Sequence, residues 1–180
     1  MSLGDARRQA RLRAMAHPVR LRMLSLLTGA SLTAADVARE LGLTHANASY
    51  HLRNLLSAGL IVQTGEERIR GGVAKRYRYD AERDRERDRE TTAGPQHADT
   101  QRALFEAVAH ELVRRTAEAD WSVGGSMTDA ELWVDPEVFR EIRDRIAQAS
   151  RDLHDAAKPP RTPGTIRTSA TIAMFRMEEP

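Results

Sequence analysis

Thr44-His-Ala-Asn-Ala-Ser-Tyr-His-Leu-Arg-Asn-Leu-Leu-Ser-Ala-Gly-Leu60 is the stretch on which the reading of this chain turns. Thr44 can cap a helix and Gly59 can end one, and between them Ala48, Leu52 and Leu55 fall on one stripe at the helical period. The opposite side carries His45, Ala46, Asn47, Ser49 and Tyr50. A short helix of this kind docks by one face and presents the other.

The flanking residues give that helix a setting. Upstream, Thr33-Ala-Ala-Asp36 has the form of a capping box opening a helix with Val37, Ala38 and Leu41 at the helical period, and Gly42 turns the chain into Thr44. Further back, His17-Pro18 separates a helix over Asp5 to Met15 from a second one through Leu27, with Leu21, Leu24 and Leu27 on its buried face and Gly29 as its stop. Downstream, Leu60-Ile-Val62 reads as a strand, Gly71-Gly72 as a two-residue hairpin turn and Val73 to Tyr79 as the returning strand. Short helices, two of them joined by a tight glycine turn and followed by a hairpin, predict a winged helix-turn-helix.

The remainder divides at a change of composition. Residues 81–97 contain Ala81-Glu-Arg-Asp-Arg-Glu-Arg-Asp-Arg-Glu90 and then Thr91-Thr-Ala-Gly-Pro95, which has no apolar period and reads as a charged linker. A helix from Ala98 to Glu118 carries Leu104, Phe105, Val108, Leu112 and Val113, more than one narrow stripe, and is expected to pack on two sides with a partner subunit on the second. Glu131 to Val134 reads as a strand. Asp135-Pro136 opens a helix with Val138, Phe139, Ile142, Ile146, Ala149 and Leu153, and Ile166 to Met177 alternates as a final strand. Two strands are too few for a stable sheet, so completion by the partner or by pairing elsewhere is expected. The expected class is therefore mainly α with small β (α+β): a winged helix-turn-helix domain over 1–80, the linker 81–97, and a dimerisation and effector region over 98–180 ending in strand-helix-strand.

Charge supports the same division. The 28 Lys and Arg nearly balance 26 Asp and Glu, yet residues 1–80 hold 13 cations against 6 anions and residues 81–180 hold 15 against 20. The basic half is the one suited to a polyanion. The 180 residues include 27 Ala and only 4% aromatics, a helical composition. Zero Cys removes disulfides, thiolate metal sites and Cys nucleophiles. No apolar run approaches a membrane span and the opening MSLGDARRQA has no signal-peptide core, so no membrane contact and a cytoplasmic location are expected. No G-x-S-x-G or phosphate-loop pattern is present, so the protein is not expected to be an enzyme.

Candidate DNA contacts follow. On the helix after Gly42 they are Thr44, His45, Asn47, Ser49, Tyr50 and Arg53; Asn47 suits bidentate contact to adenine and His45 a guanine edge. His51 reads better as a packing histidine. Around the hairpin, Arg68, Arg70, Lys75, Arg76 and Arg78 could lie along phosphates or enter the minor groove, with Arg53 and Arg20 as weaker backbone contacts. All five Trp and Phe residues, Phe105, Trp121, Trp133, Phe139 and Phe175, fall after residue 100, where they could line an effector pocket or simply a core.

Ala16-His-Pro-Val-Arg-Leu-Arg-Met-Leu-Ser-Leu-Leu27, Asp36-Val-Ala-Arg-Glu-Leu-Gly-Leu43 and Ser49-Tyr-His-Leu-Arg-Asn-Leu-Leu-Ser-Ala-Gly-Leu60 together resemble the ArsR family of bacterial winged-helix regulators, over residues 5–80. The C-terminal half looks like the longer form with a helix-strand extension. The resemblance implies a homodimer that binds a double-stranded DNA operator, usually as a repressor released by an effector. Many such proteins sense metals. The thiolate pair some carry is absent here, and the Asp-x-His pattern of others is matched only by His97-Ala-Asp99 with His110, the Asp and His exchanged and Val113 in place of a carboxylate. No cofactor or metal is therefore expected, with His97, Asp99 and His110 as the residues a site would use. The competing readings are a winged helix used for protein contacts alone and a His/Asp metal-sensing repressor.

Overall fold

A computed structural model of the 180-residue chain describes residues 3–69, 72–80 and 98–178. The linker 81–97, the turn residue Gly71, and Arg70 and His97 lie outside the described residues. In chain order the elements are α1 (Leu3–Met15), α2 (Pro18–Thr28), β1 (Leu32–Thr33), α3 (Ala34–Leu41), α4 (His45–Ser57), β2 (Ile61–Ile69), β3 (Gly72–Tyr79), α5 (Ala98–Thr116) and α6 (Pro136–Asp155).

Local chemistry sets the helix ends. Thr33 and Asp36 form a reciprocal capping box: the Asp36 N–H donates to Thr33 Oγ1 at 3.2 Å, and the Thr33 N–H donates to Asp36 Oδ2 at 3.1 Å. Gly42 closes α3 with φ +66°, a left-handed conformation that glycine adopts without strain. Only Gly42, Leu43 and Thr44 then separate α3 from α4, whose first turn is capped by Thr44 Oγ1 accepting from the Asn47 N–H at 3.2 Å. Gly59, at φ +68°, ends α4 and redirects the chain into β2.

The helices and the wing share one core. Met23 and Leu27 of α2, Val37 of α3, Leu52 and Leu55 of α4, and Leu60 and Ile61 at the start of β2 are all less than 2% exposed. Tyr77 of β3 closes the cluster. The sheet is antiparallel in the order β1-β3-β2, with Leu32 opposite Tyr77 and Ile61 opposite Tyr79. β1 was not legible in the sequence: two residues are too short for an alternation, and their pairing is imposed by β3. On α2, Met23 takes the fully buried position, and Leu21 is only half-buried.

The C-terminal half departs from its sequence reading in one respect, its strands. One face of α5 packs on α1 and α2 through Leu104, Ala107, Val108 and Glu111. The other face, with Leu112 and Val113, is exposed in the single chain and is the side for which a partner subunit is expected. Residues 131–134 and 166–177 run without strand pairing, since a β-period makes a ladder only where a partner strand lies alongside. The expected α6 forms with Asp135 as N-cap and Pro136 in its first turn. After it the chain returns to the helix-turn-helix unit: Arg161 pairs with Glu40 at 2.7 Å, and Lys158 packs so close to Gly29 that a Cβ there would lie 2.7 Å from the Lys158 carbonyl oxygen.

Two substitutions test this account of the core. Leu52→Ala removes a side chain that is 1% exposed and is expected to cost about 2–5 kcal/mol. Thr33→Ala, which removes one half of the capping box, is expected to cost about 1 kcal/mol. Urea unfolding followed by circular dichroism measures both, and equal losses would refute the ranking.

Candidate nucleic-acid interface

The buried stripe of α4 dictates which of its side chains face water. Ala48, His51, Leu52 and Leu55 are buried, which leaves Thr44, His45, Asn47, Tyr50 and Arg53 exposed on the opposite side and Ser49 at its margin. The Asn47 backbone N–H is taken by the cap, whereas its side-chain amide has no hydrogen-bond partner among the described residues. Thirteen residues make α4 about 20 Å long, and a helix of that size enters a B-DNA major groove.

The wing is the β2–β3 hairpin. A bulge between Gln63 and Gly65 marks the point at which the ribbon leaves the core, and every described β2 residue from Gln63 onward is exposed. Arg68 lies opposite Val73 and Lys75 opposite Glu66, both cations exposed. Arg76 is committed elsewhere: it donates to Glu67 Oε2 at 2.5 Å and to the Ser31 carbonyl, tying the wing to the loop before β1. Arg70 lies outside the described residues. Arg20 also has a structural task, because its guanidinium donates to the Ala14 and Arg13 carbonyls at the end of α1.

Beneath α4 sits a pair of histidines whose contact sequence reasoning did not find. The His17 and His51 rings are 4.8 Å apart and tilted by 52°, and Tyr50 meets His51 edge-on at 5.2 Å. His17 Nδ1 caps α2 by accepting from the Val19 N–H at 3.2 Å, so it must be unprotonated. His51 Nδ1 is buried without a hydrogen-bond partner among the described residues. Burial first, then the charge of Arg20, holds His17 below its ordinary pKa of 6.5; burial, then His17 and Arg20, does the same for His51. At the other end of the unit, burial would raise the Asp36 carboxyl, but hydrogen bonds from Thr33 and the adjacent Arg39 hold it below the usual range.

The residues read as metal ligands are not brought together. Asp99 and His110 are exposed on α5 and stand eleven residues apart, about 16 Å of helix, so one chain cannot offer both to one ion. His97 lies outside the described residues, and no cluster of three ligating side chains occurs among the described residues. Nor do the five aromatic residues gather into a pocket. Phe105 and Phe175 meet at 5.6 Å, but Trp121 and Trp133 are 70% and 87% exposed. Two open grooves of about 240 Å³ do exist in this half, one lined by Ile146, Ser150 and Met174, the other by Leu21, Glu111 and Thr171. No described helix is long and apolar enough to cross a membrane.

Three helices with a glycine turn between the last two, followed by a basic ribbon, define a winged helix-turn-helix. The helix-turn-helix domain family matches residues 15–64. No curated protein matches the sequence. Among solved structures, the chain is similar to a possible transcriptional regulator for arsenical resistance, with 30% identity over 61% of this chain and 96% of that one, at a TM-score of 0.35. The domain match and the geometry of α3, α4 and the hairpin show a winged helix-turn-helix domain, the DNA-binding unit of transcriptional regulators.

The histidine pair makes stability depend on pH. With folded pKa values below 6.5, the unfolded chain binds the extra protons, so stability is complete above about pH 6.5 and declines as pH falls through that value towards the folded-state pKa values. The urea midpoint is expected to drop between about pH 7.5 and about pH 5.5, and to drop less in His51→Phe. Identical declines in the two proteins would contradict the assignment.

Proposed function

We propose that the chain is a homodimeric, sequence-specific regulator that occupies promoter DNA, acting as a repressor whose operator affinity an effector adjusts. The observation that carries this reading is the free outer face of α4: His45, Asn47, Tyr50 and Arg53 are exposed on a helix whose opposite stripe is locked into the core. Thr44, His45, Asn47, Ser49, Tyr50 and Arg53 are the base-reading and groove-contacting set, and Arg68, Arg70, Lys75 and Arg76 the phosphate-contacting set. Residues 1–80 act as the DNA-binding domain, 81–97 as the linker and 98–180 as the dimerisation and effector region. Such a protein works where DNA is, in the cytoplasm, and its action needs no catalytic step.

Dimerisation is supported by the exposed side of α5, where Leu112 and Val113 stand in solvent in the single chain. Two α4 helices related by a two-fold axis would read a near-palindromic operator with half-site centres about 34 Å, or a multiple of that, apart. An effector changes occupancy only if it binds one dimer geometry better than the other. The groove beside Leu21, Glu111 and Thr171 is placed for that task, since it touches α2, the dimer helix and the C-terminal segment at once.

Binding titrations separate the two sets of residues. Asn47→Ala is expected to cost about 1–3 kcal/mol on the preferred operator and to relax selectivity at one base pair. Arg68→Ala is expected to weaken all duplexes alike and to lower the salt slope by about one. A duplex selected from genomic DNA that both variants bind as tightly as the unaltered protein would overturn these roles.

A further inference from the structure

Gly29 has no conformational need to be glycine: it follows α2 at φ −91° and ψ −7°, right-handed backbone open to any residue. What excludes a side chain there is a neighbour. A Cβ on Gly29 would lie 2.7 Å from the Lys158 carbonyl oxygen and 3.3 Å from the Ala157 Cβ, so the chain leaving α6 seats directly on the end of α2. The seat is closed at residue 161, where Arg161 Nη1 reaches both carboxylate oxygens of Glu40 on α3, at 2.7 and 2.9 Å. Arg161 is the one non-glycine residue at positive φ among the described residues, so the backbone strain falls on the residue that makes the clasp. Pro159 and Pro160 stiffen this strap, and Thr162 and Thr165 fold its end into successive turns by donating to the Pro159 and Thr162 carbonyls.

The wing is held beside the same spot. Three links tie it to residues 31–33: the β1–β3 ladder pairs Leu32 with Tyr77 and Thr33 with Arg76, the Arg76 guanidinium donates to the Ser31 carbonyl, and Ser31 Oγ and Thr64 Oγ1 share a hydrogen bond at 2.6 Å. Between Ser31 and Gly29 stands the buried Ala30. We propose that the strap over residues 157–161 sets the position of the wing through the joint from Gly29 to Ser31, so that the C-terminal half governs the phosphate contacts of the interface and leaves base reading by α4 unaltered. The proposal rests on the reading of the wing as a phosphate-contacting element and adds what controls it. The recognition helix resists a push at this joint, because Leu52 and Leu55 are at most 1% exposed in a close-packed core, whereas the ribbon from Gln63 outward is exposed and follows its base. The strap also runs into the groove described above, whose lining includes Ala170, Thr171 and Ile172. A ligand there that favours the strap seated or unseated changes DNA affinity by that preference alone.

The test uses the full chain, with circular dichroism to check the fold, and reads amide NMR shifts without DNA and the salt dependence of binding to a random-sequence duplex. Gly29→Ala places a methyl against a backbone carbonyl that must then move, and Arg161→Glu sets two carboxylates against each other at the far end of the strap. Both variants are expected to shift the Thr64 and Arg76 amides and to lower the salt slope by about one, as if one wing cation had left the phosphates. Selectivity between the preferred operator and a duplex altered at one base pair is expected to stay at its wild-type value. Adding Glu40→Arg to Arg161→Glu restores the pair with its charges exchanged and is expected to return the slope, a rescue that general damage to the fold would not show. Arg161→Glu decides the matter if Gly29→Ala fails to fold. Arg68→Ala tests the reading beneath. If Arg68→Ala lowers the slope and both strap variants keep the wild-type slope, control by the strap is overturned and the role of the wing stands. If Arg68→Ala leaves the slope unchanged, the wing reading falls and the hold of the strap on DNA binding falls with it.

Discussion

The burial of one stripe of α4, Ala48, Leu52 and Leu55, against Met23, Leu27 and Val37 is the constraint on which the molecule depends. These side chains are at most 1% exposed, so α4 can neither rotate nor slide without opening a cavity. Rotation fixed by packing is what aims Asn47 and His45 away from the protein. Specificity for a base edge demands positional accuracy that a loop would not supply, and a helix seated in a close-packed core does supply it.

The same seat couples α4 to the rest of the unit. His51, on the buried side, stacks near His17, which caps α2, while Arg20 of α2 holds the end of α1. Thus α1, α2 and α4 meet around two neutral imidazoles. The wing is held by a different tie, Arg76 to Glu67 and to the Ser31 carbonyl, so its position follows the loop that begins β1. The C-terminal segment reaches the unit at Gly29 and Glu40, giving a physical route from that half to α2 and α3.

Much of this was legible in the sequence, and the reasons differ by element. Thr33, Asp36, Gly42, Thr44 and Gly59 are residues whose local chemistry sets boundaries regardless of tertiary context, so α3, α4 and the turn between them fall where the spacing predicts. The Ala48, Leu52, Leu55 stripe needs only the helical period. What escaped depends on partners distant in the chain. β1 exists because β3 lies beside it, Arg76 is drawn to Ser31 across 45 residues, and His17 meets His51 only once α2 and α4 are packed. The segments 131–134 and 166–177 illustrate the converse: alternation marks a strand's preference, and a ladder needs a neighbour that a single chain does not provide there.

The most direct test is an amide NMR titration of the full chain with a duplex selected from genomic DNA. The account predicts that the largest shift changes fall on residues 44–53 of the helix and 66–76 of the wing, with the buried positions Leu52 and Leu55 moving least within α4. Changes confined to residues beyond 98, with 44–53 unmoved by saturating duplex, would contradict it.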